Sequence, residues 1–222
     1  ADNGLSIEIL RQLIAVEPAL TDFIYVFDTP STDLPALQQM AALSDGIVVW
    51  GGDGAVSAVR RFAPPGVKLM EWGHRLSFAY VAGYEDREAE WSALARHIVR
   101  TGGLLCSSCQ VIYLDTDRPE EAEAFCQAFL PLLNRAARER DRDGAAQAAL
   151  YTHTYRLERL AEGAGGQTWF GEGCSLTWKP DRELELSPLH GNVLVKCLPQ
   201  KALLPVLRRQ KGRLQTAGLL CP

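Results

Sequence analysis

IVVWGGDGAVSAVRRFAPPGVKLMEW, residues 47–72, decides the fold. The run Ile47-Val48-Val49-Trp50 is too short for a helix and reads as a buried strand. It stops at Gly51-Gly52-Asp53-Gly54, after which residues 55–62 take up helical spacing until Pro64-Pro65-Gly66 ends it. Residues 68–72 then read as a second strand. Strand, glycine turn, helix, proline stop and strand together spell a parallel βαβ unit, because parallel neighbours cannot be joined by a hairpin.

Outward from this unit the alternation continues. Upstream, Ser6 caps a helix with Ile7, Leu10, Leu13 and Ile14 on one face, and Phe23-Ile24-Tyr25-Val26-Phe27 reads as a buried strand. Ser31 or Thr32 caps a second helix carrying Leu34, Leu37, Met40 and Ala41. Downstream, residues 77–81 read as a strand, and 85–100 as a helix with Trp91, Leu94, Ala95, Ile98 and Val99 inward. Residues 111–114 are a further strand. Asp117 and Pro119 open a long helix that Pro131 is predicted to kink or end early. Residues 141–149 read as a loop or exposed helix, 163–173 as glycine-rich, 175–178 and 193–195 as strands, and 205–210 as a last helical turn. The pattern divides near Trp72, giving a nucleotide-type α/β part over 1–72 and a second α/β part over 73–222.

The 222 residues carry 27 acidic and 23 basic side chains, a net charge of -4, so nothing draws the chain as a whole to nucleic acid or an anionic membrane. Arg135, Arg138, Arg140 and Arg142 cluster, but acids interrupt them. No apolar run approaches the roughly 18 residues of a membrane span. Six cysteines without a secretory signal read as thiols of a reducing cytosol, which gives a cytoplasmic expectation. The chain has no initiating Met and opens almost directly in a helical pattern, as a fragment of a longer protein would.

Three segments carry candidate chemistry. Glycines after a parallel strand let backbone amides approach a phosphate or ring, but Gly51-Gly52-Asp53-Gly54 lacks the usual dinucleotide fingerprint, and Asp53 repels phosphate. On local grounds a tight β-α turn is the favoured reading. Glu71, at a strand's carboxyl end, is either a general base or half of an ordinary salt bridge. Cys106 lies in Leu104-Leu105-Cys106-Ser107-Ser108-Cys109-Gln110, just before a strand. Cys106 and Cys109 read as half a zinc site, as a redox pair, as two inert thiols, or as an acylating nucleophile, Cys106, with a bystander. Cys126, Cys174, Cys197 and Cys221 are isolated.

The order of glycine turn, strand-end Glu and Cys before a strand resembles the aldehyde dehydrogenase superfamily. Within it, Val48-Val49-Trp50-Gly51-Gly52-Asp53, Glu71-Trp72-Gly73-His74-Arg75-Leu76-Ser77-Phe78 and Cys106-Ser107-Ser108-Cys109-Gln110 are most similar to the LuxC-type acyl-CoA reductases. The resemblance implies an aldehyde dehydrogenase-like α/β fold, with part of a Rossmann-type NAD(P)-binding domain over 1–72 and an incomplete catalytic domain over 73–222. It implies reduction of a long-chain acyl-CoA or acyl-protein thioester to fatty aldehyde, with Cys106 as nucleophile and Glu71 handling protons. Gly51 and Gly52 then lie at the nicotinamide of NADPH, or of NADH. It also implies a homo-oligomer or a complex with acyl-transferring and acyl-activating enzymes, as in bioluminescent aldehyde supply. Two departures stand out. Gly102-Gly103 occupies a stretch where the family commonly has Gln, and Pro188 stands where related enzymes have a ribose-binding Glu, leaving His190 as substitute. A CxxC redox or metal-binding protein and a non-catalytic remnant are the alternatives.

Overall fold

The computed structural model describes residues 4–83, 88–162 and 165–221. Two compact units follow one another, Ala1–Trp72 and Gly73–Pro222.

The first unit holds helices α1 (Gly4–Val16) and α2 (Leu34–Ala42), then β1 (Gly46–Trp50), α3 (Asp53–Phe62) and β2 (Lys68–Trp72). β1 and β2 pair in parallel, Gly46 against Lys68 through Trp50 against Trp72, with α3 as the crossover between them. α2 is capped by Asp33, whose side chain accepts from the Ala36 amide at 3.2 Å, rather than by Ser31 or Thr32. Pro35 in its first turn costs no hydrogen bond, and the helix starts at Leu34, where its apolar face begins. Residues 23–27, expected as a strand, form none. A strand exists through its ladder, and among the described residues no neighbour runs beside this segment, so Phe23, Tyr25, Val26 and Phe27 stand exposed.

The second unit is a six-stranded sheet in the order β5-β6-β7-β4-β3-β8. Its strands are β3 (Leu76–Val81), β4 (Cys109–Leu114), β5 (Gln167–Phe170), β6 (Ser175–Lys179), β7 (Asn192–Cys197) and β8 (Leu214–Leu220). All pairs are parallel except β5 with β6. Helices α4 (Glu88–Thr101) and α5 (Pro119–Ala137) cover one face, and α7 (Gln200–Arg208) covers the other. Alternation in β3, β4 and β7 feeds two cores. Ala79, Val81, Ile112, Leu114, Val193 and Val195 meet α4 and α5, while Phe78, Tyr80, Val111, Tyr113 and Leu194 form the α7 side. That explains why these strands read as continuous apolar runs. The inward face of α4 is the one its spacing gave, all five residues buried.

α5 continues through Pro131 to Ala137, so the proline does not end it early. The proline stands exposed, and the carbonyl it deprives of a partner is that of Gln127, also exposed, where the missing bond costs least. Phe125, Phe129, Leu133, Ala136 and Ala137 hold the opposite face in the core on both sides of it. Residues 142–162 form the helix α6 (Arg142–Glu162), seated by hydroxyls: Thr152 donates to Asn192 Oδ1 at 3.1 Å and Tyr155 to Thr177 at 2.9 Å. The expected last turn at 205–210 is α7 instead, beginning at Gln200, and the chain returns from it into the edge strand β8.

Candidate active site

In the first unit, Gly52 caps α3 in extended conformation, its carbonyl accepting from Ala55 (2.9 Å) and Val56 (3.1 Å). The Gly51 amide donates to the Trp72 carbonyl at 3.3 Å, tying the turn to the end of β2. A Cβ on Gly51 would stand 3.0 Å from that of Ala55, whereas one on Gly52 would meet nothing within 4 Å. Gly51 is therefore required by close packing of turn on helix. Gly52 leaves open backbone at a helix amino end, where the dipole favours anions. Beside it Trp50 and Trp72 stack with centroids 6.5 Å apart, both exposed. Open glycine backbone and a bare aromatic surface fit a dinucleotide in shape, while the carboxylate of Asp53 in the same turn opposes its phosphates.

Glu71 faces α3, where Arg60 grips both carboxylate oxygens, Nε to Oε1 at 2.8 Å and Nη2 to Oε2. The Arg60 hydrogen bond holds the carboxyl below its usual range, against a smaller push from desolvation. Of the two sequence readings of Glu71, the ion pair is the state the folded chain adopts. A base at this position first has to leave Arg60.

In the second unit, Cys106 sits on the turn between α4 and β4, its side chain exposed. The turn is closed from both ends: Ser108 N donates to the Leu105 carbonyl and Ser108 Oγ accepts from the Leu105 amide, each at 2.9 Å. Ser77 Oγ donates to the Cys106 carbonyl at 2.6 Å, and His97 Nε2 lies 3.2 Å from the Ser107 carbonyl. Among the described residues, the amides of Cys106 and Ser107 make no hydrogen bond within the protein. The turn thus presents an exposed thiol next to two amides that no described residue takes. Cys109 lies in the opposite environment, at the start of β4 within the core, where burial pushes its thiol up to about 12. The two thiols are not bonded to each other. Among the described residues, no three His, Cys, Asp or Glu side chains gather as metal ligands would.

What the sequence did not reveal is the clamp beneath this turn. Gln110, 2 % exposed, donates from Nε2 to the Gly103 carbonyl at 2.9 Å and accepts at Oε1 from Ser187 N (3.0 Å) and Ser187 Oγ (2.8 Å). His190 N donates to the Gly102 carbonyl at 2.6 Å. Gly102 and Gly103 have φ of 58° and 79°, and so do two non-glycine residues opposite them, Leu189 at 69° and His190 at 50°. Left-handed backbone at such residues persists only where the surroundings impose it. Here Arg140 donates to the His190 carbonyl at 3.0 Å, and Asn192 donates through N and Nδ2 to that of Leu189. The Gln110 amide and the two positive φ values are tertiary properties with no local sequence signal, although Gly102-Gly103 does mark the turn.

The fold and a thiol placed before a parallel strand define an aldehyde dehydrogenase-like α/β protein. Solved structures share it: proline utilization A from Bradyrhizobium japonicum (TM-score 0.55, 15 % identity, 87 % of this chain and 23 % of that one), an oxidoreductase from Marinobacter aquaeolei (0.53, 13 %, 84 % and 48 %) and an aldehyde dehydrogenase from Bartonella henselae (0.51, 10 %, 86 % and 48 %). The chain belongs to the acyl-CoA reductase (LuxC) family, whose model matches residues 1–222. A long-chain acyl-protein thioester reductase from Aliivibrio fischeri is 27 % identical over 81 residues, 36 % of this chain and 17 % of that protein. The chain therefore matches only a small share of that relative's length. No helix among the described residues is long and apolar enough to cross a membrane.

Proposed function

We propose that this chain carries the thiol half of a reductase that converts a long-chain acyl-CoA or acyl-protein thioester to fatty aldehyde. The observation that carries the reading is the exposed Cys106 on a turn pinned at both ends, with the Cys106 and Ser107 amides taken by no other described residue. The Cys106 thiolate attacks the acyl carbonyl carbon; the new C–S bond forms as the thiolate of CoA, or of the donor protein, departs. Exchange of one thioester for another is nearly isoenergetic, so the chain's task is alignment and support of the tetrahedral oxyanion by the two amides. In the reductive step the carbonyl carbon gains a hydride equivalent, the C–S bond breaks, and aldehyde leaves with Cys106 returned to thiolate.

Residues 1–72 are read as the closing part of the NAD(P)-binding domain and 73–222 as an incomplete catalytic domain. Gly51 and Gly52 would hold the nicotinamide cofactor, NADPH or else NADH, against open backbone. When bound, that cofactor supplies the hydride equivalent. Glu71 handles protons in this reading only after Arg60 releases it. A cytoplasmic location and assembly with acyl-transferring and acyl-activating enzymes, or with further copies, complete the proposal.

The test is intact-mass measurement after mixing the chain with a long-chain acyl-CoA, with peptide mapping and then NADPH. An acyl adduct on Cys106 that NADPH discharges is the expected result. Absence of any adduct on folded chain overturns the nucleophile assignment.

A further inference from the structure

A cleft of about 400 Å³ lies in the second unit between α4 and the edge strand β8. It exists because small residues stand where large ones would close it. Ala79 of β3 and Gly218 of β8 are register partners lining it, and Ala93 lines it from α4. A Cβ on Gly218 would meet only the Phe78 carbonyl, at 3.9 Å. Leu94, Leu219 and Leu220 give the remaining walls an apolar character.

One end of the cleft is polar and belongs to the nucleophile turn. Ser107 and Thr216 line it there, so the lining begins one residue from Cys106. Ser77 Oγ joins the two sides, donating to the Cys106 carbonyl at 2.6 Å and accepting from the Thr216 amide at 3.0 Å. His97, bonded to the Ser107 carbonyl, marks the near end on α4, and Glu90 marks the far rim two turns back. At the helical rise that separation is about 10 Å. The cleft therefore leads away from the candidate nucleophile turn as a half-open, mostly apolar groove, polar at the end beside that turn and again at the far rim, where Glu90 stands.

We propose that this cleft receives the fatty acyl chain of the thioester while Cys106 takes its carbonyl carbon; the inference rests on the reductase reading above. A single methylene chain is the occupant whose chemistry fits. Its methylenes need apolar walls along their length and its thioester needs polar groups where it is exchanged, and the bulky thiol-bearing group departs on the solvent side. Each methylene buried strengthens binding by about fourfold, so a channel of this length discriminates strongly by chain length.

Ala93 is exposed on α4 and Gly218 on β8, so Ala93→Phe and Gly218→Val narrow the channel from two separate elements. The rates of Cys106 acylation by tetradecanoyl-CoA and by butanoyl-CoA are measured by intact mass in the parent chain and both variants. The expected result is that the ratio of long-chain to short-chain rate falls at least tenfold in each variant. A ratio unchanged within twofold in both, on folded chains, overturns the cleft as the acyl site. If the parent chain takes no acyl group from either thioester, it is the reductase reading that fails. The cleft is then judged by titration with 11-(dansylamino)undecanoic acid: enhanced dansyl emission that Ala93→Phe weakens at least fivefold supports a fatty-chain site, and absent or equal binding overturns it.

Discussion

Gln110 offers the sharpest test of how the nucleophile turn is held. Replacing it with alanine removes three hydrogen bonds at once, those to the Gly103 carbonyl, Ser187 N and Ser187 Oγ. Ser187 is 6 % exposed, so its amide and hydroxyl lose their partner where water does not easily replace it. At about 1 kcal/mol for each bond, with the Gly103 carbonyl partly rescued by solvent, the loss sums to about 2–3 kcal/mol. The vacated side-chain volume adds to it. Urea unfolding followed by tryptophan emission measures this, because Trp91, Trp169 and Trp178 all belong to the second unit. The midpoint should fall with little change in slope. The alkylation rate of Cys106 by iodoacetamide, read by peptide mapping, should change in the same variant, since the turn bearing the thiol has lost its tie to residues 187–190. A stability change below about 0.5 kcal/mol, within the range of an ordinary surface substitution, with an unaltered alkylation rate would refute the clamp.

Three further outcomes follow from the same geometry. Cys106→Ala should abolish acyl-adduct formation while Cys109→Ala keeps most of it, since Cys109 is buried with its thiol pushed up to about 12; equal loss in mass spectra of both would favour a paired-thiol role. Glu71→Gln removes the carboxylate that Arg60 grips, and should slow turnover with little change in cofactor affinity; steady-state rates equal to the parent's would leave Glu71 as the structural ion pair alone. Lys196 is fully buried against the carboxylates of Asp181 and Glu185; burial pushes both acids up, but the hydrogen bonds of Lys196, of Lys179 to Glu185 and of the Glu183 amide to Asp181, together with the charges of both lysines, hold them below their ordinary values. Carboxyls depressed in the folded state add stability above their unfolded value of about 4 and lose it as pH falls through the folded one. Stability should therefore drop on acidification below about pH 4 by an amount of order 1 kcal/mol, given how much of each carboxylate is exposed, and the drop should flatten in Lys196→Met; parallel pH profiles in urea melts would contradict it.

Much of this architecture is written locally. The βαβ unit over 47–72 and the inward face of α4 follow from periodicity, glycine and proline alone, although only Val49 of β1 is buried; it is β3, β4 and β7, buried on both faces, that leave unbroken apolar runs. What is not local is not legible. Residues 23–27 have strand composition, but pairing is decided by what lies beside them. Pro131 breaks the helical rule locally, yet the packed Phe125, Phe129 and Leu133 face overrides it. β8, reading Leu-Gln-Thr-Ala-Gly-Leu-Leu, has weak strand composition and is held by the ladder that β3 offers it. At the site, Cys106 and the glycines stand out by residue type. The partners that fix Cys106 lie from 10 to more than 70 residues away along the chain, as with His97 and Ser107 or Gln110 and Ser187, and only folding brings them together.

The segment Ser187-Pro188-Leu189-His190-Gly191 carries this furthest. By resemblance it should hold a ribose through a Glu, and Pro188 in that place removes the carboxylate. The folded chain gives the segment a different task. Its backbone bends into the left-handed region at two non-glycine residues, which costs about 1 kcal/mol or more at each, and this strain is held by Arg140 and Asn192. The strained geometry lets His190 N reach the Gly102 carbonyl and seats Leu189 where a Cβ on Gly103 would otherwise stand, 3.0 Å from its Cδ2. Glycine at 103 is thus demanded by its positive φ, and a Cβ there would in addition press on the Leu189 side chain. Gly102 and Gly103 have no side chain with which to tether the turn, and it is held instead by the facing segment and by Gln110.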